Sequence, residues 1–208
     1  MINLDDAQAP VGRRARGKLA KLARIRAAAH RLFSEQGFEK TTTRQIAEAA
    51  DIGTGTLFLY AATKQDLLVL VFQDEVGRAV DAAFARVPTG PLLEQVLHVF
   101  DAITLHHAAD PGLARVFVKE LPFVDDASHR GVAAFVSKLY AGLSLLIDSA
   151  KGRGEIATDV SSRLLAQNLF GAFFQHLQLW LGGRMTALEP GDERLRAALA
   201  LQLRGARP

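Results

Sequence analysis

Between Thr41 and Leu68 the chain reads TTTRQIAEAADIGTGTLFLYAATKQDLL, and its polar residues are grouped where short helices would begin and end. Thr42, with Gln45 three residues on, makes a capping box in which hydroxyl and amide satisfy free N–H groups at a helix start. Ile46, Ala47 and Ala50 fall on one face, leaving Arg44, Gln45 and Glu48 outside. Asp51-Ile52-Gly53 interrupts that helix. Thr54 to Tyr60 spans about two turns, with Leu57 inward and Thr54, Gly55, Thr56, Phe58 and Tyr60 elsewhere. A helix this short is not stable alone. On a scaffold, in a helix-turn-helix, it would lie in the major groove of duplex DNA. The same residues also suit three turns of an ordinary helical domain.

The remaining chemistry-bearing residues assemble no catalytic pattern. Of the six histidines, His106 and His107 are adjacent, and on a helix they point about 100° apart, poor geometry for one ion. No HExxH pair, GxSxG elbow or complete phosphate loop is present, and Gly152-Arg153-Gly154 stands alone. We therefore expect no metal, no cofactor and no enzyme activity.

The elements that must position the Thr41–Leu68 stretch are helical. Leu22, Ile25, Ala29, Leu32 and Phe33 recur at helical spacing from about Lys18 to Gln36, with Gly37 as the stop. Thr63 and Asp66 open a further helix that runs to Arg86. The stretch LARIRAAAHRLFSEQGFEKTTTRQIAEAADIGTGTLF resembles the DNA-binding domain of the TetR family of transcriptional repressors. Ile25, Ala28, Ala29, Phe33, Gly37, Phe38, Thr42, Ile46, Ala47, Gly55, Thr56, Leu57 and Lys64 carry the resemblance, in order and spacing, over about a quarter of the chain. Asp51 stands where the family has Gly, Gly53 where it has Ser, Phe58 where it has Tyr, and Ala61 where it has Phe. Asp visits the left-handed conformation more readily than most residues.

The resemblance implies a homodimer on a palindromic operator in double-stranded DNA, released by a small-molecule effector. On it we place Thr42, Arg44, Thr54, Gly55, Thr56, Tyr60 and Lys64 at the DNA. Arg44 is the candidate for reading a base, because a guanidinium can make two bonds to guanine. Thr42, Tyr60 and Lys64 would hold phosphates, and Gly55 would let the backbone approach. A helical ligand carrier or enzyme with a vestigial helix-turn-helix is the alternative that Phe58 and Asp51 keep open.

Charge distribution agrees with this reading. Net charge is +3 over 208 residues, yet up to Leu68 eleven Lys and Arg face seven Asp and Glu, while beyond it fourteen face fifteen. From Val11 to Arg31 every charged residue is basic. Such a run is commonly a solvated tail; directly before a helix-turn-helix it reads as a phosphate-seeking arm. The chain lacks cysteine, which excludes disulfides and thiolate sites and fits a cytoplasmic protein. Its start is not a signal peptide, and the apolar stretch from Leu164 to Leu181 is broken by amides and His176, so no membrane span is expected.

From Pro91 onward the pattern stays helical, so the fold class is all-α. A basic flexible arm (1–17) and a helix-turn-helix domain (18–68) precede a larger effector-binding and dimerisation domain (69–208). In that domain the rings of Phe100, Phe117, Phe135, Phe170 and Phe174, with His107 beside them, are core residues first and candidate pocket linings second. The stretch from Val160 to Leu181 and the last helix are apolar around much of their circumference. Pairing two copies would bury these faces, as in TetR-like dimers; burial against the rest of the chain is the simpler alternative.

Overall fold

The computed structural model describes residues 12–120, 126–185 and 188–208, apart from the side chains of residues 13, 120 and 126–131. Among them every regular element is an α-helix, and contacts divide the chain into units 1–67 and 68–208.

The first unit holds α1 (Arg13–Gln36), α2 (Thr43–Ala49) and α3 (Thr54–Phe58). Ile25, Ala29, Phe33, Ile46 and Leu57 are fully or almost fully buried and form its centre. Gly37 ends α1 at φ 85°, with its N–H on the Phe33 carbonyl. The helix begins earlier than its apolar spacing suggests. Arg14, Ala15 and Arg16 are good helix formers, and an isolated Gly17 costs only about 1 kcal/mol against Ala. Within the expected flexible arm, Arg13 to Gly17 are helical; residues 1–11 lie outside the described residues.

Helix α4 (Lys64–Ala85) carries the chain from the first unit into the second. The Asp66 carboxylate accepts from the Thr63 N–H at 2.9 Å, and the Thr63 hydroxyl accepts from the Asp66 N–H at 3.0 Å. The second unit continues with α5 (Leu92–Ala109), α6 (Pro111–Glu120), α7 (Asp126–Gly152), α8 (Ser162–Leu181) and α9 (Glu193–Arg204). Pro111 is the first helical residue of α6, a position where the missing N–H costs nothing because a first-turn residue has no intrahelical use for it.

In this unit α8 lies against α6, α7 and α9, and α5 against α6, α7 and α9. Phe100, Leu139, Leu143, Ile147, Phe173 and Leu199 fill the space between them. Arg196 of α9 holds Glu94 of α5 through two bonds, at 2.5 and 2.9 Å. Phe84, near the end of α4, lies across Gly142 of α7, where an added Cβ would come within 2.4–2.8 Å of three ring carbons. Lys138 Nζ, 2.6 Å from an Asp81 carboxylate oxygen, fastens the same two helices.

Much of the apolar circumference of α8 is covered within the chain, with Leu165, Ala166, Leu169, Phe173 and Leu177 all buried. Leu145 on α7, Leu164 on α8 and Leu201 on α9 remain mostly exposed, at 70, 57 and 65 %.

Candidate DNA-binding surface and ligand cleft

The capping box opens α2 as the spacing predicts. Thr42 Oγ1 accepts from the Gln45 N–H at 3.2 Å, and Gln45 Oε1 accepts from the Thr42 N–H at 2.8 Å. Thr42 is therefore a cap before it is anything else. Thr41 is buried, with its hydroxyl 2.9 Å from the Gly37 carbonyl and 3.1 Å from that of Leu32. This fixes the approach of the chain to α2.

Asp51 is the only non-glycine described residue with positive φ, at 53°. It occupies the left-handed conformation that the turn demands, and its carboxylate meets Arg24 Nη1 of α1 at 3.1 Å. The Ile52 N–H reaches back to the Ala47 carbonyl at 3.0 Å, closing the turn. Leu57 alone anchors α3. Thr54 and Thr56 are half-buried and Gly55 is exposed. Outside its own helical turn, no atom of the described residues comes within 4 Å of a Cβ built on Gly55. Packing within the protein thus places no demand for glycine there, whereas close approach of a second molecule would.

Arg44 projects into solvent, its Nε 2.9 Å from Glu48 one turn on. An exposed pair of this kind is worth little, so the guanidinium can exchange it for another acceptor. Tyr60 is half-buried. Lys64 is more committed than expected. Its Nζ donates to the carbonyls of Phe38 at 2.9 Å and Glu39 at 3.2 Å, and lies 4.4 Å from the centre of the Phe38 ring. Phe58 and Leu59 at the end of α3 are 47 and 84 % exposed. The exposed basic residues Arg14, Arg16, Lys18, Lys21 and Arg31 line α1.

The second unit contains an apolar cleft bounded by α4 to α8, enclosing about 50 Å³. Five of the six expected residues line it: His107, Phe117, Phe135, Phe170 and Phe174. Phe100 does not. Its ring is stacked on Phe173, centroids 4.5 Å apart, and is fully buried behind the cleft. Val76, Ile103, Val118, Val136, Phe173 and Leu177 complete the wall, together with Val132 and, unforeseen, the amide of Gln73. Gln73 was the harder one to find, because a lone amide in an apolar helix ordinarily faces water.

His107 is 2 % exposed, and its Nδ1 lies 2.7 Å from the Ile103 carbonyl. Nδ1 must carry the proton to make that bond. Burial pushes the imidazole pKa down to about 4, against the opposing pull of the Ile103 carbonyl, so the ring is neutral near pH 7. His106 points elsewhere, towards Glu75 at 3.8 Å. Gln175 is exposed, and His176 Nδ1 lies 2.8 Å from the Ala172 carbonyl. No group of three or more His, Cys, Asp and Glu among the described residues could hold a metal ion.

A capped helix-turn-helix with an exposed short second helix, followed by a helical unit with an apolar cleft, defines a one-chain DNA-binding regulator. Residues 25–71 match the family described as bacterial regulatory proteins, tetR family. The chain carries the DNA-binding domain of this family and is a DNA-binding transcriptional regulator. It is 24 % identical over 171 residues to the fatty acid metabolism regulator protein of Bacillus subtilis (strain 168), covering 79 % of this chain and 85 % of that one. It is 28 % identical over 174 residues to the transcriptional repressor KstR of Rhodococcus jostii (strain RHA1), covering 83 % and 77 %. In fold it is similar to the repressor FadR of Thermus thermophilus, solved with lauroyl-CoA. The TM-score is 0.66 at 24 % identity, covering 88 % of this chain and 91 % of that one.

Proposed function

We propose that the protein is a cytoplasmic, homodimeric repressor that holds a palindromic operator and leaves it when a small, largely apolar ligand enters the cleft. The observation that carries this reading is Gly55: it lies exposed on the second helix of a helix-turn-helix, and no packing among the described residues requires it. Arg44, Thr54, Thr56 and Tyr60 surround it on that element and would meet bases and phosphates. The exposed cations of α1 add sequence-independent attraction. Leu164 and Leu201, left exposed by the single chain, suit burial between two copies. The TtgR regulator of Pseudomonas putida and the FadR structures with lauroyl-CoA and stearoyl-CoA are relatives in sequence or fold, and the acyl chains of the FadR ligands, like this cleft, are apolar.

Helix α4 is the mechanical route, since one continuous helix starts beside α3 in sequence and lines the cleft through Gln73 and Val76. The ligand shifts the balance only through unequal affinity for the two states, typically by about 1–3 kcal/mol. Duplexes selected from random sequence should yield a palindrome, and binding to it should weaken steeply with salt, by about 0.9 in log–log slope per phosphate contact. Selection of no common sequence, together with salt-insensitive duplex binding, would sink this reading.

A further inference from the structure

The cleft that the proposed function takes as the effector site holds two polar groups with nothing to bind. His107 uses Nδ1 on the Ile103 carbonyl, and its other ring nitrogen, Nε2, has no hydrogen-bond partner among the described residues. With the proton fixed on Nδ1, Nε2 is a bare acceptor. Gln73 Nε2 is likewise buried without a partner. Both residues line a cleft that is otherwise formed by Val, Ile, Leu and Phe. Buried polar groups are almost always satisfied in folded proteins, so the buried Gln73 amide nitrogen, in the same cleft as an imidazole nitrogen that no described residue uses, marks where a third molecule completes the bonding.

The chemistry of that molecule follows from what the walls lack. Among the described residues no Lys or Arg lines the cleft, and against these walls a carboxylate or phosphate would be an unpaired buried charge. A plain hydrocarbon chain would bury both polar groups unsatisfied. A group is needed that donates to one nitrogen and accepts from the other while staying uncharged. We propose that the cleft takes the apolar body of a ligand bearing one neutral hydroxyl, an alcohol or phenol, whose proton goes to His107 Nε2 and whose oxygen accepts from the Gln73 amide. The enclosed volume of about 50 Å³ is far below the ~300–1,000 Å³ of sites for drug-sized ligands. The occupant therefore enters by displacing the half-buried side chains of α7, Phe135 and Val136 among them.

The test uses 4-propylphenol and its methyl ether, titrated calorimetrically into the full-length protein without DNA. The ether accepts but cannot donate, and it is the more hydrophobic of the two, so a cleft without hydrogen bonds would prefer it. The expected result is a preference for the phenol of about tenfold or more, the scale of leaving one buried partner unpaired. His107→Phe should reverse the order, and Gln73→Met should weaken both compounds, because each oxygen accepts from the Gln73 amide. Equal or tighter binding of the ether by the wild type, or binding of neither compound, would overturn the proposal without recourse to any variant. A preference that survives His107→Phe would overturn it as well. Operator binding is measured separately: phenol that binds with the expected preference but leaves operator affinity unchanged upholds the cleft chemistry and defeats the repressor reading.

Discussion

The contact between Phe84 and Gly142 offers a test whose sign depends on the packing. In an open helix interior, Gly→Ala stabilises by about 1 kcal/mol, because the alanine backbone has less freedom to lose. At Gly142 the new methyl would stand 2.4–2.8 Å from three carbons of the Phe84 ring, well inside van der Waals contact. Overpacking of this kind costs about 1–3 kcal/mol. For Gly142→Ala the two effects combine to a loss of up to about 2 kcal/mol. With Phe84→Ala as the background the obstruction is gone, and the same change should stabilise by about 1 kcal/mol. For a chain of this size that is a fall in Tm of up to about 8 °C in one background and a rise of about 2–4 °C in the other. Urea and thermal melts of the four proteins, followed by helical ellipticity, give the coupling directly. An equal gain from Gly142→Ala in both backgrounds would show that Phe84 does not occupy that notch, and that α4 is not held to α7 there.

Two further outcomes are expected. The His107 pKa falls from 6.5 to about 4 on folding, so the unfolded chain binds the extra proton between those pH values; stability is complete above pH 6.5 and declines as pH falls to 4. The decline should be roughly 3 kcal/mol larger in the wild type than in His107→Phe, read from urea midpoints at both pH values, and parallel curves would contradict the buried neutral ring. Asp51→Gly should change stability by less than about 0.5 kcal/mol, because relief at φ 53° is offset by glycine's looser unfolded state and by loss of the exposed Arg24 pair. A loss above about 1.5 kcal/mol would mean that the Arg24 contact is stronger than exposed pairs are.

The helix-turn-helix was legible because its signals are local. A Thr–Gln pair at the right separation, an interrupted apolar face and one residue tolerant of positive φ each act within a few positions, and the structure uses all three as the spacing suggests. The cleft was legible only in part, because residue type says that a ring is buried and not what it is buried against. Phe100 and His107 are seven residues apart and so share a face of α5. Which of them borders open space is decided by Phe173 arriving from α8 and stacking on the first. Gln73 was missed for the converse reason: its surroundings come from α5 to α8, which no local pattern in α4 announces. The early start of α1 is not legible in the apolar spacing, which begins only after Lys18, although a single glycine among arginines and alanines is too weak to stop a helix.

The residues that the family resemblance assigns to phosphates are not all free to serve there. Thr42 spends its hydroxyl on the Gln45 N–H. Lys64 spends two of its three donors on the Phe38 and Glu39 carbonyls, tying the first turn of α4 to the loop that ends α1. Both groups fix the frame that presents α3, so replacing either would disturb DNA binding even if it never touched a phosphate. Arg44 is in the opposite position. Its partner, Glu48, lies on the same exposed face of α2, and no element of the fold depends on the pair. Loss of operator binding after a change at Thr42 or Lys64 is therefore weak evidence for contact. The same loss at Arg44, with stability unchanged, is strong evidence, because the chain has no other use for that side chain.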